Sequence, residues 1–532
     1  MHRQAVCIFF IFALCTATAA LAPILNRPSL AQVRDTVVVG LFGEPDSLLP
    51  GFSSLAVARE VSDTVFVRLT ALDADWRPRA RVAQEVPTLE NGGWRLLPDG
   101  GMELTYRLRP GFRWHDGTPV TAGDAVFAWE VLRDPRTGAH QPDPALTAMT
   151  ASDPQTLVVR WSARRHGTNV DYYPLLPRHL LEATFRSNPA VLRTGPFASR
   201  PVGNGPYRVV EWVPGRHIRL QAVEEYPEGR PRIPNLVFRF FASTAAAAAE
   251  ELHVDAAGGR SRPGFELLRP PSSVFEHISL NLDHPWLQDR RVRQALLYAL
   301  DRELIAARVG LGQLAEVAHT WVPPAHAGHH AGVRRYTQDV DAARRLLAEA
   351  GWTPGPEGIV RNSAGERLEL VISTTPGNLV REHAQDLLIE RWRAVGVAVR
   401  KENPPDFFQR VHARRFQLAL FAWVLSPQAD GFFLWHSSQV PSQANRFQGG
   451  NYPGWRHPDN DRLVEQAAQE LAEGRRADLL RRQQDLWAEE LPALPLWFRT
   501  TAVWVHPDLT GVKPSGLPGG LTWNVHEWAW KP

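Results

Sequence analysis

The chain has 532 residues, of which 44% are hydrophobic and 22% charged, a composition typical of globular proteins rather than disordered chains. Lys and Arg total 59 against 56 for Asp and Glu, which leaves a formal net charge of +3. A nearly neutral chain without a basic block is not expected to bind nucleic acid or anionic lipid as its main partner. At roughly 100–200 residues per domain, this length allows two to four domains.

The N-terminal residues have the pattern of an export signal. Residues 5–25 form an almost uninterrupted run of apolar and small residues, after a short segment that contains His2 and Arg3. No second run of about 18 apolar residues occurs, so a polytopic membrane protein is disfavoured. We predict a signal peptide over residues 1–31, cleaved after Ala31, and therefore a periplasmic location. A retained N-terminal anchor or a buried helix is the alternative.

Both cysteines, Cys7 and Cys15, lie in this segment, so the mature chain is predicted to have none. This excludes a disulfide, a cysteine nucleophile and a cysteine metal site. Lipidation at Cys15 is disfavoured because the preceding Leu14 is too large for a good lipobox.

The first part of the mature chain is rich in strand patterns. Residues 36–42 are a continuous apolar run, typical of a buried strand, and residues 102–108 alternate as a half-buried strand does. Pro214 and Gly215 predict the turn of a hairpin. The remaining predicted strands of this part are residues 156–161, 207–212, 217–223 and 236–241.

Helical patterns become prominent after residue 285. Asp289 is a plausible N-cap for a helix whose apolar face contains Val292, Ala295, Leu296 and Ala299. Asp339 caps a second predicted helix over 342–350, which Gly351 ends. The spacing also predicts a helix over 380–395, and strands over 368–373, 397–401 and 416–423. The later half is therefore predicted to be α/β.

Motifs of catalysis are absent from the sequence: it has no nucleophile elbow, phosphate loop, dinucleotide glycine pattern or zinc-protease helix. The one histidine cluster comprises His319, His326, His329 and His330. Neighbouring prolines and glycine indicate an irregular loop, and no acidic residue lies among the four. We predict a solvated loop and no catalytic residue, metal or cofactor; a metal site in this loop is the alternative.

Six blocks of sequence are similar to those of a known family. The chain resembles the extracytoplasmic solute-binding proteins of ATP-binding-cassette (ABC) importers, in the large peptide-binding class that includes oligopeptide-, dipeptide- and nickel-binding proteins. The blocks follow the family order and span nearly the whole mature chain. They are residues 44–48, 108–119, 201–207, 289–301 (shortly after Asn281), 342–352 and 416–423.

The resemblance implies an α/β fold with two lobes joined by crossing strands, and an extra β-rich domain in the first lobe. The main domain of lobe 1 is then discontinuous, comprising residues 32–75, 200–275 and 500–532. The extra domain is expected over residues 76–199 and lobe 2 over residues 276–499.

The resemblance also implies a set of cleft residues. The candidate ligand-binding residues are Glu44, Ser47, Asn281, Trp423, Val424, Leu425, Ser426 and Asp430. Each of three candidates also has a structural alternative. Ser47 could form a turn, Asn281 could satisfy the end of its own strand, and Trp423 could pack in the core. Peptide-binding members usually carry an Asp three residues after this Trp, which pairs with the α-ammonium of the peptide. Here that residue is Ser426, and Asp430 is the alternative acid, which a fold-back of the loop would bring to the ligand.

The expected function is capture of a peptide or peptide-like solute by lobe closure, followed by delivery to a membrane ABC permease. We expect a monomer that acts without catalysis. A non-peptide ligand such as an opine, a glycoside or a metal chelate is the alternative within the family. A metal-dependent hydrolase built on the histidine loop, or a receptor-like or chaperone-like protein, is the alternative outside it.

Overall fold

The computed structural model describes residues 35–170, 173–257, 262–445 and 447–532. The predicted signal peptide over residues 1–31, with both cysteines, lies outside the described residues. Three sheets of four or more strands organise the described chain, with helices packed around them.

The first sheet has seven strands, and its central strand is the apolar run that the sequence predicted. Thr36–Phe42 pairs in parallel with Asn235–Phe241 on one side and with Val254–Asp255 on the other. It is buried on both faces, which explains its lack of alternation. In spatial order the strands are Glu266–Leu268, Val503–Val505, Val254–Asp255, Thr36–Phe42, Asn235–Phe241, His217–Ala222 and Tyr207–Val213. Strands from all three predicted segments of the main domain therefore share this sheet.

The second sheet has six strands and combines parallel with antiparallel pairing. Its central pair, Val274–Leu280 and Leu418–Val424, is antiparallel, with Val274 opposite Val424 and Leu280 opposite Leu418. In spatial order the strands are Ala315–Val317, Ala493–Arg499, Val274–Leu280, Leu418–Val424, Glu369–Thr374 and Ala398–Lys401.

The third sheet is antiparallel and belongs to the predicted extra domain. Its strands, in spatial order, are Trp94–Leu96, Met102–Arg107, Thr156–Trp161 and Leu146–Asp153. Leu104 and Val159 of this sheet share one apolar core with Val37 and Phe238 of the first sheet. The extra domain is therefore packed as part of the first lobe. Three two-stranded ribbons complete the strands: Thr70–Leu72 with Pro78–Ala80, Thr353–Pro354 with Val360–Arg361, and Leu509–Thr510 with Ala529–Trp530.

Asp289 and Asp339 cap the N-termini of two helices, as the sequence predicted. Asp289 accepts a hydrogen bond from the backbone N–H of Arg291, and Asp339 accepts one from Ala342 at 2.7 Å. The α-helices are Ala56–Val65, Ala122–Arg133, Arg178–Ser187, Val191–Thr194, Pro196–Ser199, Thr244–Ala248, Pro285–Gln288, Arg290–Tyr298, Arg302–Arg308, Val340–Glu349, Leu379–Ala394, Phe407–His412, Phe432–Trp435, Pro458–Gln469 and Glu473–Glu490. Short 3₁₀ helices are Pro135–Thr137, Gly312–Leu314, Ser437–Gln439, Gln443–Asn445 and Val525–Glu527. Within the described ranges, no helix combines the length and apolarity needed to cross a bilayer.

Two short crossover segments join the first and second sheets. Residues 269–273 lead from Glu266–Leu268 to Val274–Leu280, and residues 500–502 lead back from Ala493–Arg499 to Val503–Val505. Two hydrogen bonds connect the crossover segments. The Ser272 hydroxyl donates to the Arg499 carbonyl at 2.6 Å, and the Thr500 hydroxyl donates to the Pro270 carbonyl at 2.6 Å. Paired crossovers of this kind form a hinge about which two lobes rotate.

The glycine-rich block at residues 201–207 joins the extra domain to the main domain. A side chain at Gly203 would overlap the carbonyl oxygen of Val65, and a Cβ at Gly205 would lie 2.7 Å from the carbonyl oxygen of Thr64. His115 belongs to the extra domain, yet its backbone N–H donates to the Gly203 carbonyl at 2.8 Å. The glycines therefore permit close backbone packing at this junction.

Candidate functional site

The segment that follows strand Leu418–Val424 borders cavities between the lobes. Trp423 is half-buried; its ring stacks on Tyr452 with centroids 5.4 Å apart and meets Phe433 edge-on at 5.9 Å. Val424 is 67% exposed, whereas Leu425 is buried in the apolar core of the second lobe. Trp423 thus combines packing with an open face, and Leu425 has a packing role.

An apolar cavity of about 370 Å³ borders Val424. Its walls come from both lobes: Leu41, Val57 and Leu521 face it from the first, and the cross-strand pair Val274 and Val424 from the second. This volume falls in the range of small-molecule pockets.

A larger and more polar cavity of about 940 Å³ lies at the other end of the same segment. Arg164 and Arg165 line it from the extra domain, and Asp430, Phe433 and Glu465 line it from lobe 2. The segment from Val424 to Asp430 therefore borders two spaces between the lobes, one apolar and one charged.

Asp430 is held within its own loop. Its carboxylate accepts a hydrogen bond from the backbone N–H of Phe432 at 2.9 Å. Burial raises its pKa, while the Phe432 N–H and the charge of Arg476 act in the opposite direction. Ser426 is exposed, and its hydroxyl bonds to the Gln428 side chain at 2.8 Å.

Of the predicted site residues, Val424 lines the apolar cavity and Asp430 lines the charged one, whereas Trp423, Leu425 and Ser426 line neither. The remaining predicted residues have other contacts. Glu44 accepts hydrogen bonds from the Trp212 indole N–H at 2.7 Å and the Gly215 backbone at 2.8 Å, so its carboxylate holds the hairpin. Ser47 is buried and accepts from the backbone N–H of Leu49 at 3.2 Å, which is turn chemistry. Neither residue is among those that line the two cavities.

Asn281 lies at the opposite end of the second sheet from Trp423. The register places Leu280 beside Leu418 and Phe275 beside Trp423, which corresponds to a separation of about 20 Å along the strands. The Asn281 amide donates to the carbonyls of Arg414 at 3.0 Å and Phe416 at 2.8 Å. It also borders a separate cavity of about 370 Å³ within lobe 2.

The extra domain contacts lobe 2 directly, a feature that no sequence motif indicated. A Cβ built on Gly167, whose φ is +75°, would lie 2.8 Å from the Cβ of Gln428. His166 Nε2 lies 3.9 Å from Glu473 Oε1, and burial lowers the pKa of this histidine to about 3. The nearby Arg476 donates to the Gln428 carbonyl at 2.8 Å and so braces the same loop.

Sequence reasoning also missed Glu60, which lines the apolar cavity. Its carboxylate accepts a hydrogen bond from the backbone N–H of Leu521 at 3.1 Å. Burial raises the pKa of Glu60 to about 8, with the charge of Asp63 adding to the rise. A single Glu on an amphipathic helix carries no signal in sequence, since only the folded C-terminal segment creates its surroundings.

The prediction that the histidine loop is solvated is wrong. His326 is 3% exposed, and its Nδ1 accepts from the Gly328 N–H at 2.9 Å; burial lowers its pKa to about 3. The loop packs on helix Glu473–Glu490, where Gln484 donates to the Gly328 carbonyl at 2.7 Å. Among the residues that the structure describes, no group of three or more His, Cys, Asp or Glu side chains is arranged to hold a metal.

Comparison with known proteins identifies the family. The family model described as "Bacterial extracellular solute-binding proteins, family 5 Middle" matches residues 89–444. The chain belongs to this family. The solute-binding protein is 24% identical over 524 residues to the oligopeptide-binding protein AppA of Bacillus subtilis, covering 92% of this chain and 91% of that one.

Solved structures agree with this assignment. The oligopeptide-binding protein of Thermus thermophilus, solved with a pentapeptide, is 29% identical, with a TM-score of 0.66 and coverage of 93% of this chain and 96% of that one. NikZ of Campylobacter jejuni, solved with Ni(L-His), has the same fold, with 24% identity, a TM-score of 0.68 and coverage of 93% and 100%. The solute-binding protein therefore has the two-lobed α/β fold that its sequence predicted.

Proposed function

We propose that this protein captures a peptide or peptide-like solute between its two lobes and delivers it to an ABC importer. The observation that carries this proposal is the pair of cavities along residues 424–430, each lined by residues of both lobes. A ligand there contacts both lobes only when they are closed, so its binding energy favours closure. The oligopeptide-binding relatives, similar over nearly the whole chain, support a peptide as the ligand.

A thermal-shift experiment with a defined oligopeptide mixture tests the proposal. A ligand at about 100 times its Kd stabilises the folded state by about 2.7 kcal/mol, so the thermal midpoint should rise. Val424→Arg places a charged side chain in the apolar cavity and should abolish the shift. Leu379→Arg, at a residue that is 76% exposed and lines neither cavity, is the matched control and should retain it. No shift with any peptide at saturation contradicts the proposal.

A non-peptide solute is the second candidate, favoured by Ser426. The resemblance implies an Asp at this position that pairs with the α-ammonium, and a neutral hydroxyl replaces a charge-assisted hydrogen bond by a weaker one. Opines, glycosides and metal chelates belong in the same thermal-shift screen, with Ni(L-His) as the chelate probe. A shift with one of these and none with peptides selects this candidate.

We further propose that residues 1–31 direct export to the periplasm and that the mature protein acts as a monomer. N-terminal sequencing of periplasmic protein should begin at Gln32, and light scattering should give the mass of one chain. A cytosolic protein that retains residues 1–31 contradicts this part of the proposal.

The protein is proposed to release its ligand chemically unchanged. Mass spectrometry of the recovered ligand should give the intact mass after prolonged incubation with added nickel or zinc. Metal-dependent turnover that is lost in His329→Ala/His330→Ala would instead support a hydrolase.

A further inference from the structure

The apolar cavity between the lobes contains one carboxylate. Its lining is formed mainly by aliphatic side chains, prolines and small residues of both lobes. Among the described residues that line it, Glu60 is the only one with a charged side chain. Burial raises the pKa of Glu60 to about 8, so in the unliganded protein the carboxyl holds a proton near neutral pH. An entering cation releases this proton to solvent and forms an ion pair with the resulting carboxylate, which replaces the hydration lost on burial.

The fold fixes Glu60 at the wall of the cavity, where the backbone N–H groups of Leu521 and Gly519 hydrogen-bond to its carboxyl. It lies on helix Ala56–Val65, and the backbone N–H of Leu521 holds one carboxylate oxygen at 3.1 Å. The Thr522 hydroxyl donates to the carbonyl of Glu60 at 2.7 Å, which anchors the same turn of the helix. The neighbouring cation on this helix, Arg59, is paired with Asp63 at 3.1 Å.

The geometry also suits a cation that carries an apolar body. Val57 and Leu521 lie on the Glu60 side of the cavity, and Val274 and Val424 close it from lobe 2. A charged group that enters this space must be desolvated, so a compact ammonium on an alkyl stem fits better than a polar ligand. An anion is disfavoured, since none of the described residues in the lining carries a positive charge to pair with it.

We propose that Glu60 binds an ammonium group carried on an apolar body, so that the cleft selects such ligands over their neutral analogues. This deepens the proposed capture function and rests on it. On a peptide, the ammonium has two sources: the α-ammonium of the first residue, or the ε-ammonium of a lysine side chain.

The test compares wild type with Glu60→Gln by calorimetric titration. Each peptide is used free and N-acetylated, and with each lysine replaced by norleucine. If the α-ammonium reaches Glu60, wild type should bind the free peptide about tenfold or more tightly than the acetylated one; if the lysine ammonium does, the same ratio should hold between the lysine and norleucine peptides. In Glu60→Gln this affinity ratio should fall below about threefold. The glutamine retains an acceptor for the Leu521 N–H, so the variant is expected to fold. Glu225→Gln, the same change at an exposed carboxylate of lobe 1, should leave the preference intact.

A second probe separates this inference from the peptide proposal. n-Hexylammonium and its neutral analogue 1-hexanol are titrated at millimolar concentration against the same variants. Binding of the ammonium that weakens about tenfold in Glu60→Gln supports the inference even when no peptide binds. The inference is overturned if wild type does not prefer n-hexylammonium to 1-hexanol, or if Glu60→Gln shows the same preference as wild type. It is also overturned if the preference is lost in Asp430→Asn but retained in Glu60→Gln.

Discussion

Replacing Glu60 by Gln should change how the stability of the unliganded protein depends on pH. Burial raises the pKa of Glu60 from 4.5 to about 8, and Asp63 adds to the rise, whereas the Leu521 N–H and Arg59 lower it. The folded state therefore holds a proton that the unfolded state releases. The stability contributed by this proton is complete below pH 4.5 and is lost as the pH rises towards 8.

The magnitude follows from the linkage relation. Each pH unit in this window is worth about 1.4 kcal/mol, so the interval from about pH 5.5 to about pH 7.5 has an upper bound of about 2.7 kcal/mol. Because Glu60 is half-buried, water reduces this to about 1–2 kcal/mol. Glu60→Gln has no such group and should gain that amount relative to wild type as the pH rises.

Urea unfolding of wild type, Glu60→Gln and Glu225→Gln at several pH values measures the effect. At each pH, the free energy of unfolding of wild type is subtracted from that of the variant, so the contributions of all other titrating groups cancel. The Glu60→Gln difference should grow with pH, and Glu225→Gln, the same change at an exposed position, serves as the control. A Glu60→Gln difference that is constant within about 0.5 kcal/mol would refute the reasoning, since Glu60 would then titrate as a hydrated carboxyl.

Three further substitutions have expected outcomes. Gly203→Ala should cost more than about 2 kcal/mol in urea unfolding, because its Cβ would overlap the Val65 carbonyl; wild-type stability would show that the backbone can separate there. Trp423→Ala removes ring contacts with three aromatic neighbours and should weaken ligand binding by about tenfold in calorimetry; unchanged affinity would assign Trp423 to packing alone. Arg381→Ala removes the closer of two guanidinium groups paired with Glu276, whose side chain is 5% exposed, and leaves Arg499 at 3.6 Å; it should cost about 3 kcal/mol. Arg381→Ala/Glu276→Ala should recover part of this loss, and no recovery would contradict the ion-pair argument.

Local signals predicted the elements well. Strands Thr36–Phe42 and Thr156–Trp161 have the predicted bounds, because an apolar run and a period-two alternation report burial directly. Asp289 and Asp339 start their helices as predicted, since a cap needs only residues within one turn. The two-lobed architecture came from the order of the family blocks rather than from periodicity.

The cleft was less predictable, because its properties arise from segments far apart in sequence. Glu60 acquires its surroundings from Leu521, and Gly167 meets Gln428 across the lobes. The resemblance drew attention to Asn281, yet the amide of this residue is used by nearby carbonyls. From the sequence, such a side chain could bind a ligand or satisfy nearby backbone groups. Only the strand register and the hydrogen bonds in the structure distinguish the two roles.

The central claim is that the two lobes close on a ligand, and a reversible lock across them tests it most directly. The described chain has no cysteine, and the Cβ positions at Gly167 and Gln428 are 2.8 Å apart, so a small opening brings Gly167→Cys and Gln428→Cys to the disulfide spacing of about 3.8 Å. Oxidation before addition of a ligand found in the thermal-shift screen should block binding, oxidation afterwards should trap the ligand, and dithiothreitol should reverse both effects. Ligand binding by each single-Cys variant should respond to neither oxidation nor dithiothreitol. If the ligand enters and leaves the oxidised protein as fast as the reduced protein, capture by lobe closure is wrong.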